Sequence, residues 1–218
     1  MQLVAMNPKT ARAAGGTRIA AIDAIAGIMK EEKLAPQLSN WALDIAHLCQ
    51  RALKSSGNGE SSYRISATHM ACAAVMASRT AFLKTRSAAN PLVLKGSLED
   101  KAIIELIRLL KIAVVDKYPE VRSGAATLAC ILPPLIIHTS IKSPNTPDAV
   151  ATSATSSLEE LMVLALKHVD DESPMVAAGW AEALARCITT AIEYNNILNA
   201  EKTSNRNVEG DDGSPTKA

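Results

Sequence analysis

Aromatic side chains are scarce in this chain: only 3% of its 218 residues are Phe, Tyr or Trp. Sheet proteins lean on aromatic and β-branched residues to fill pleated faces, so this scarcity argues against a sandwich or barrel. The interior must come from Ala, Leu and Ile instead, which suits closely packed helices. Net charge is missing too. With 23 basic and 22 acidic residues the chain carries +1, so no field of one sign draws in nucleic acid or an anionic membrane surface. The four cysteines, Cys49, Cys72, Cys130 and Cys187, form no CxxC pair and read as buried free thiols in a reducing compartment. The longest apolar run, 124–137, is short for a bilayer and is interrupted by Pro133-Pro134. The first residues, Met1-Gln-Leu-Val-Ala-Met-Asn-Pro8, have neither the basic lead nor the apolar core of a secretory signal. Together these absences predict a soluble, cytoplasmic, helical protein with no transmembrane segment and no nucleic-acid partner.

Catalytic signatures are missing as well. The histidines, His47, His69, His138 and His168, make no HExxH and no zinc-finger spacing with cysteine. Gly15-Gly16 and Gly57-Asn-Gly59 are not phosphate loops, because neither leads into Gly-Lys-Ser/Thr. No Gly-x-Ser-x-Gly elbow occurs. Glu159-Glu160 and Asp170-Asp-Glu172 are explained by helix starts, turns and solvation. The expectation is therefore a non-enzymatic chain with no catalytic residue, no cofactor and no metal site.

What is present is a recurrence. Four segments resemble one another: Thr10-Ala-Arg-Ala-Ala-Gly-Gly-Thr17, Ser62-Tyr-Arg-Ile-Ser-Ala-Thr-His69, Glu120-Val-Arg-Ser-Gly-Ala-Ala-Thr127 and Met175-Val-Ala-Ala-Gly-Trp-Ala-Glu182. Aligned on Arg12, Arg64, Arg122 and Ala177, they lie 52, 58 and 55 residues apart. A helical unit repeated at such a period reads as a stacked array.

Apolar residues at three- and four-residue steps predict about seven helices, over 10–30, 37–54, 61–84, 98–115, 119–138, 158–169 and 174–196. In the second of them Trp41 is counted among the apolar positions, with Leu43, Ile45 and Leu48. Pro119 sits well in a first turn, and Pro133-Pro134 should end or kink the helix that contains it. The helices pair as repeats 37–84, 98–138 and 158–196, with a partial first repeat at 10–30, so that residues 1–198 form one repeat region. The partial repeat holds the second place of a pair, which suggests a fragment of a longer array. Residues 85–97 read as a loop, 139–157 as a flexible excursion and 199–218 as a disordered polar tail. Trp180 reads as a core filler, with an anchor for a partner helix as the alternative.

The run Asp116-Lys-Tyr-Pro-Glu-Val-Arg-Ser-Gly-Ala-Ala126 resembles the signature of a HEAT repeat, in which an Asp-bearing turn leads to a Val-Arg step and then to small residues. The run from Asp170 to Ala181 matches the turn and Val176, with Ala177 in place of the Arg. The resemblance implies an all-α fold, an α-solenoid (α-α superhelix) of armadillo-like antiparallel helix pairs. Arg12, Arg64, Arg122, Asp116, Asp170, Val121 and Val176 would be its structural repeat positions, the Asp holding the turn or pairing with an Arg. On the surface such a pair contributes only about 0–1 kcal/mol. The units exceed the usual HEAT length of about 40–47 residues, and the excess falls in 85–97 and 139–157.

Residues 158–176 look like the HEAT repeat-containing protein five family, cytosolic scaffolds that work with clathrin adaptors between endosomes and the Golgi. That resemblance implies a protein-binding scaffold with adaptor or trafficking partners, peripheral on endosome or Golgi membranes. Two alternatives stand beside it: a HEAT scaffold in translation control or kinase regulation, and a compact helical ligand-binding bundle.

Overall fold

The structure, a computed structural model, describes residues 15–31, 41–55, 60–87, 100–140 and 147–209. The fold is all-α. Eight helical segments span these residues, and no strand occurs among them: α1 (Gly15–Met29), α2 (Ala42–Leu53), α3 (Glu60–Ser87), α4 (Asp100–Ala113), α5 (Pro119–Ile131), α6 (Pro133–Ser140), α7 (Pro147–His168) and α8 (Pro174–Glu209). Only Leu132 separates α5 from α6, and its own backbone is helical, with φ −72° and ψ −41°. Pro133 and Pro134 bring no amide protons to the ladder, so the helix is interrupted there and then continues.

Helix starts have local causes. Tyr118 is extended (φ −93°, ψ 121°) and Pro119 opens α5 with Glu120 in its first turn, where a missing amide proton is harmless and a negative charge is favoured. In α2, Asp44 lies in the first turn and Arg51 in the last, both complementing the helix dipole. Ser55 then closes α2 by donating its hydroxyl to the Ala52 carbonyl at 2.7 Å.

Three helices run past their sequence-based limits. Helix α3 continues to Ser87, into the stretch expected as a loop. The stretch expected as a flexible excursion is helical from Pro147 onward. Pro147-Asp148 repeats the Pro-then-acid start of α5, which favours a first turn even where no core pattern follows. The expected disordered tail is also helical, up to Glu209. Neither Gly nor Pro occurs between Trp180 and Glu209, so no residue in that stretch breaks the helix. Arg12 and residues 88–97 of the expected loop lie outside the described residues.

The helices pack in two rows. In one, α2 packs on α4 and α4 on α7; in the other, α1 packs on α3, α3 on α5 and α5 on α8. Across the rows α2 packs on α3, α4 on α5 and α7 on α8, while α6 fits against α7 and α8. The core between them is aliphatic: Leu53, Met70, Leu106, Leu109, Leu128 and Leu161 are all buried, together with many alanines. The stretch Pro119–Ile137 is long and apolar enough to cross a membrane by length and composition, but 67% of it is buried within the fold. Its apolar character is thus used in the core.

Close approach in the second row depends on glycine. A Cβ placed on Gly124 of α5 would meet the Thr68 Cβ of α3 at 2.8 Å, and one on Gly179 of α8 would meet the Ala126 Cβ of α5 at 3.0 Å. Gly27 has nothing within 4 Å of the same position. Gly124→Ala is therefore expected to destabilise the fold by about 1–3 kcal/mol through overpacking. Gly27→Ala should stabilise it by about 0.5–1 kcal/mol through helix propensity. Urea denaturation of the two variants beside the parent measures both signs.

Candidate functional site

The turn before α5 and the turn before α8 carry corresponding polar contacts. Asp116 Oδ1 accepts the Tyr118 amide at 3.0 Å, and Asp171 Oδ1 accepts the Ser173 amide at 2.9 Å. Both are Asx turns, and each Asp stands three residues before the proline that starts the next helix. These carboxylates also reach the preceding unit. Arg64 of α3 meets Asp116 at 2.9 Å. Arg122 of α5 grips Asp171 with two bonds, Nε to Oδ2 at 2.8 Å and Nη2 to Oδ1 at 2.9 Å, and touches Glu172 at 3.2 Å. Each guanidinium also holds a carbonyl at the foot of its own unit: Arg64 donates to Leu53, and Arg122 Nη1 donates to Asp116 at 3.0 Å.

Arg64 and Arg122 thus occupy matching environments. Their aspartate partners are buried, unlike the surface pair expected from sequence: the Arg122 and Asp171 side chains are 9% and 7% exposed, and that of Asp116 is 2% exposed, whereas Glu172 is exposed. The Asp171 hydrogen bond raises the Arg122 pKa, and the Arg122 hydrogen bond lowers that of Asp171. Asp170, the repeat position expected from sequence, is exposed; Asp171 makes the contact instead. The Asp-x-x-Pro spacing shared by Asp116 with Pro119 and Asp171 with Pro174 is the signal that identifies it. Val121 and Val176 are both buried in the first turns of their helices.

The thiols follow the same register. Cys72 of α3 points its Sγ at the Gly124 carbonyl, and Cys130 of α5 points at the Gly179 carbonyl, each at 3.6 Å. Cys49 donates to the Ala67 carbonyl at 3.0 Å. All four cysteines are free. Burial pushes the Cys72 thiol up to about 12, Cys130 to about 11 and Cys187 to about 12, and it raises Cys49 as well.

Beside this register lies an open groove of about 800 Å³. Its floor and walls come from the second row: Met29 and Lys30 at the end of α1, a stripe of α3 from Ile65 through His69, Cys72 and Met76 to Thr80, then Glu120, Ser123 and Thr127 of α5, and Met175 of α8. The α3 residues recur at three- and four-residue steps, so one helix face lines the groove. Three of the chain's seven methionines lie here, providing soft, adaptable apolar surface. Met76 and Met175 are exposed. The Thr127 hydroxyl donates to the Ser123 carbonyl at 3.0 Å. Among the described residues no group of three or more His, Cys, Asp or Glu is placed to hold a metal ion.

Trp180 is fully buried, against the His168 ring at 5.8 Å between centroids. It fills the core. Trp41, which the apolar pattern placed with the core positions of α2, is instead 56% exposed just before that helix.

Removing one partner of a buried ion pair strands the other, so Asp171→Ala should destabilise the fold by about 3–5 kcal/mol. Asp171 has a folded pKa below its unfolded value. The pair's contribution is therefore full above the ordinary Asp value of about 3.9 and is lost as pH falls through and below it. Melting curves of the parent and Asp171→Asn should differ at neutral pH and converge in acid. Native-state iodoacetamide labelling at neutral pH should leave all four thiols largely unmodified, with rapid labelling only in denaturant.

No protein-family model matches this chain, and no curated protein and no solved structure matches it.

Proposed function

We propose that this chain is a segment of a HEAT-like α-solenoid that binds other proteins, with the methionine-lined groove across α1, α3, α5 and α8 as its contact surface. The groove carries the reading. It combines apolar side chains from α1, α3 and α8 with the polar side chains of Lys30, His69, Glu120 and Ser123, the composition of a surface that takes an apolar helix or extended segment. Stacked helix pairs joined by a repeated Arg–carboxylate link support the solenoid part, because such arrays hold long surfaces in fixed register. The cellular process rests on the sequence resemblance alone, which points to clathrin-adaptor partners in traffic between endosomes and the Golgi.

A photo-cross-linking side chain placed at Met76 tests this in cells. Cross-links to protein partners from that position, and not from Arg108 on the exposed side of α4, are the expected result. Adaptor subunits among the products favour the trafficking role, whereas translation factors in their place favour translation control. Equal yields from both positions overturn the groove as the contact surface. Small-angle scattering of the purified chain should show an elongated particle; a compact sphere would favour a ligand-binding bundle.

A further inference from the structure

The contact that joins neighbouring second-row helices has a fixed register. Thr68 and Cys72 of α3 meet Gly124 of α5, and Ala126 and Cys130 of α5 meet Gly179 of α8. Alignment on Arg64, Arg122 and Ala177 puts Ala181 and Ala185 of α8 at the next equivalent positions. Both are exposed. They belong to a stripe, Ala178, Ala181, Ala185, Ile188 and Ile192, that recurs at three- and four-residue steps and is exposed throughout. Ile188 is 44% and Ile192 56% exposed. Among the described residues, this face continues an internal interface without a helix upon it.

We propose that the stripe of α8 pairs antiparallel with the same stripe of a second copy of this chain. Three observations select this occupant. The stripe is self-complementary about Ala185: turned end for end, it brings Ala178 to Ile192, Ala181 to within a residue of Ile188 and Ala185 to itself, so small residues face large ones at both ends. A two-fold interface needs this kind of self-complementarity. The flanking charges suit the same symmetry, with Glu182 of one copy brought within a turn of Arg186 of the other; within one chain they approach only to 3.9 Å. Finally, Ala177 stands where Arg64 and Arg122 link each unit to the next. The face therefore has no guanidinium for the turn of a further in-register unit, and its contact is apolar. The stripe spans about 21 Å of helix, from the rise of about 1.5 Å per residue.

Analytical ultracentrifugation of the full chain across a concentration series tests the pairing. A reversible dimer is expected. Ile188→Glu should weaken it about tenfold or more while leaving the melting temperature of the monomer unchanged, because the side chain is exposed there. Glu182→Arg should also weaken it, and adding Arg186→Glu should restore it. With Ala185→Cys, mild oxidation should produce a covalent dimer, whereas Thr127→Cys on α5 should not. A chain that stays monomeric, association that grows beyond a dimer, or a dimer indifferent to Ile188→Glu would overturn the proposal. The groove lies on other residues, so its own test is independent of this one.

Discussion

A buried guanidinium has to be answered by a carboxylate, and the arrangement of this fold follows from where the answer comes from. Arg122 sits on one helix pair, and Asp171 sits in the turn of the next. Arg64 and Asp116 repeat the relation one unit earlier. Because the guanidinium is planar and its donors are fixed, a two-bond grip sets orientation as well as distance. Arg122 thereby locks its unit to the next in both respects. The carboxylate is itself held, since each Asp that faces an arginine also closes its own turn.

That polar lock and the apolar packing constrain each other. With the turn fixed against the preceding arginine, the following helix is delivered to a set distance from its neighbour. Gly124 and Gly179 accept the resulting closeness because they present no side chain there. The first row has links of its own: Gln50 of α2 donates to the Glu105 carboxylate of α4 at 2.9 Å, and Lys111 of α4 pairs with Glu160 of α7. The latter pair is exposed and contributes little. Register is thus held mainly at the second row, the row that also lines the groove.

Much of this is legible in local pattern. Apolar spacing marks the helix faces, since a residue's neighbours on one face are set by the 3.6-residue turn. Proline positions mark the starts of α5 and α8. Helix extent is less legible, because polar stretches such as the start of α7 and the end of α8 have no apolar stripe to announce them. Asp170 and Asp171 are chemically identical neighbours, and only the offset from Pro174 separates the one that pairs from the one that faces solvent. The groove is not legible at all: Met29, Met76 and Met175 are far apart in the chain and meet only through packing.

Spacing along a single chain was enough to establish that the protein is helical and that Arg64 and Arg122 hold equivalent places, because helix periodicity and repeat period are both one-dimensional properties. Which carboxylate each arginine meets, and which tryptophan is buried, emerged only from the packed helices. Trp180 faces inward and Trp41 outward, although each belongs to or adjoins an apolar helical pattern. The reason is physical: burial and pairing depend on what another helix places opposite a residue, and that distance is set by packing, not by separation along the chain.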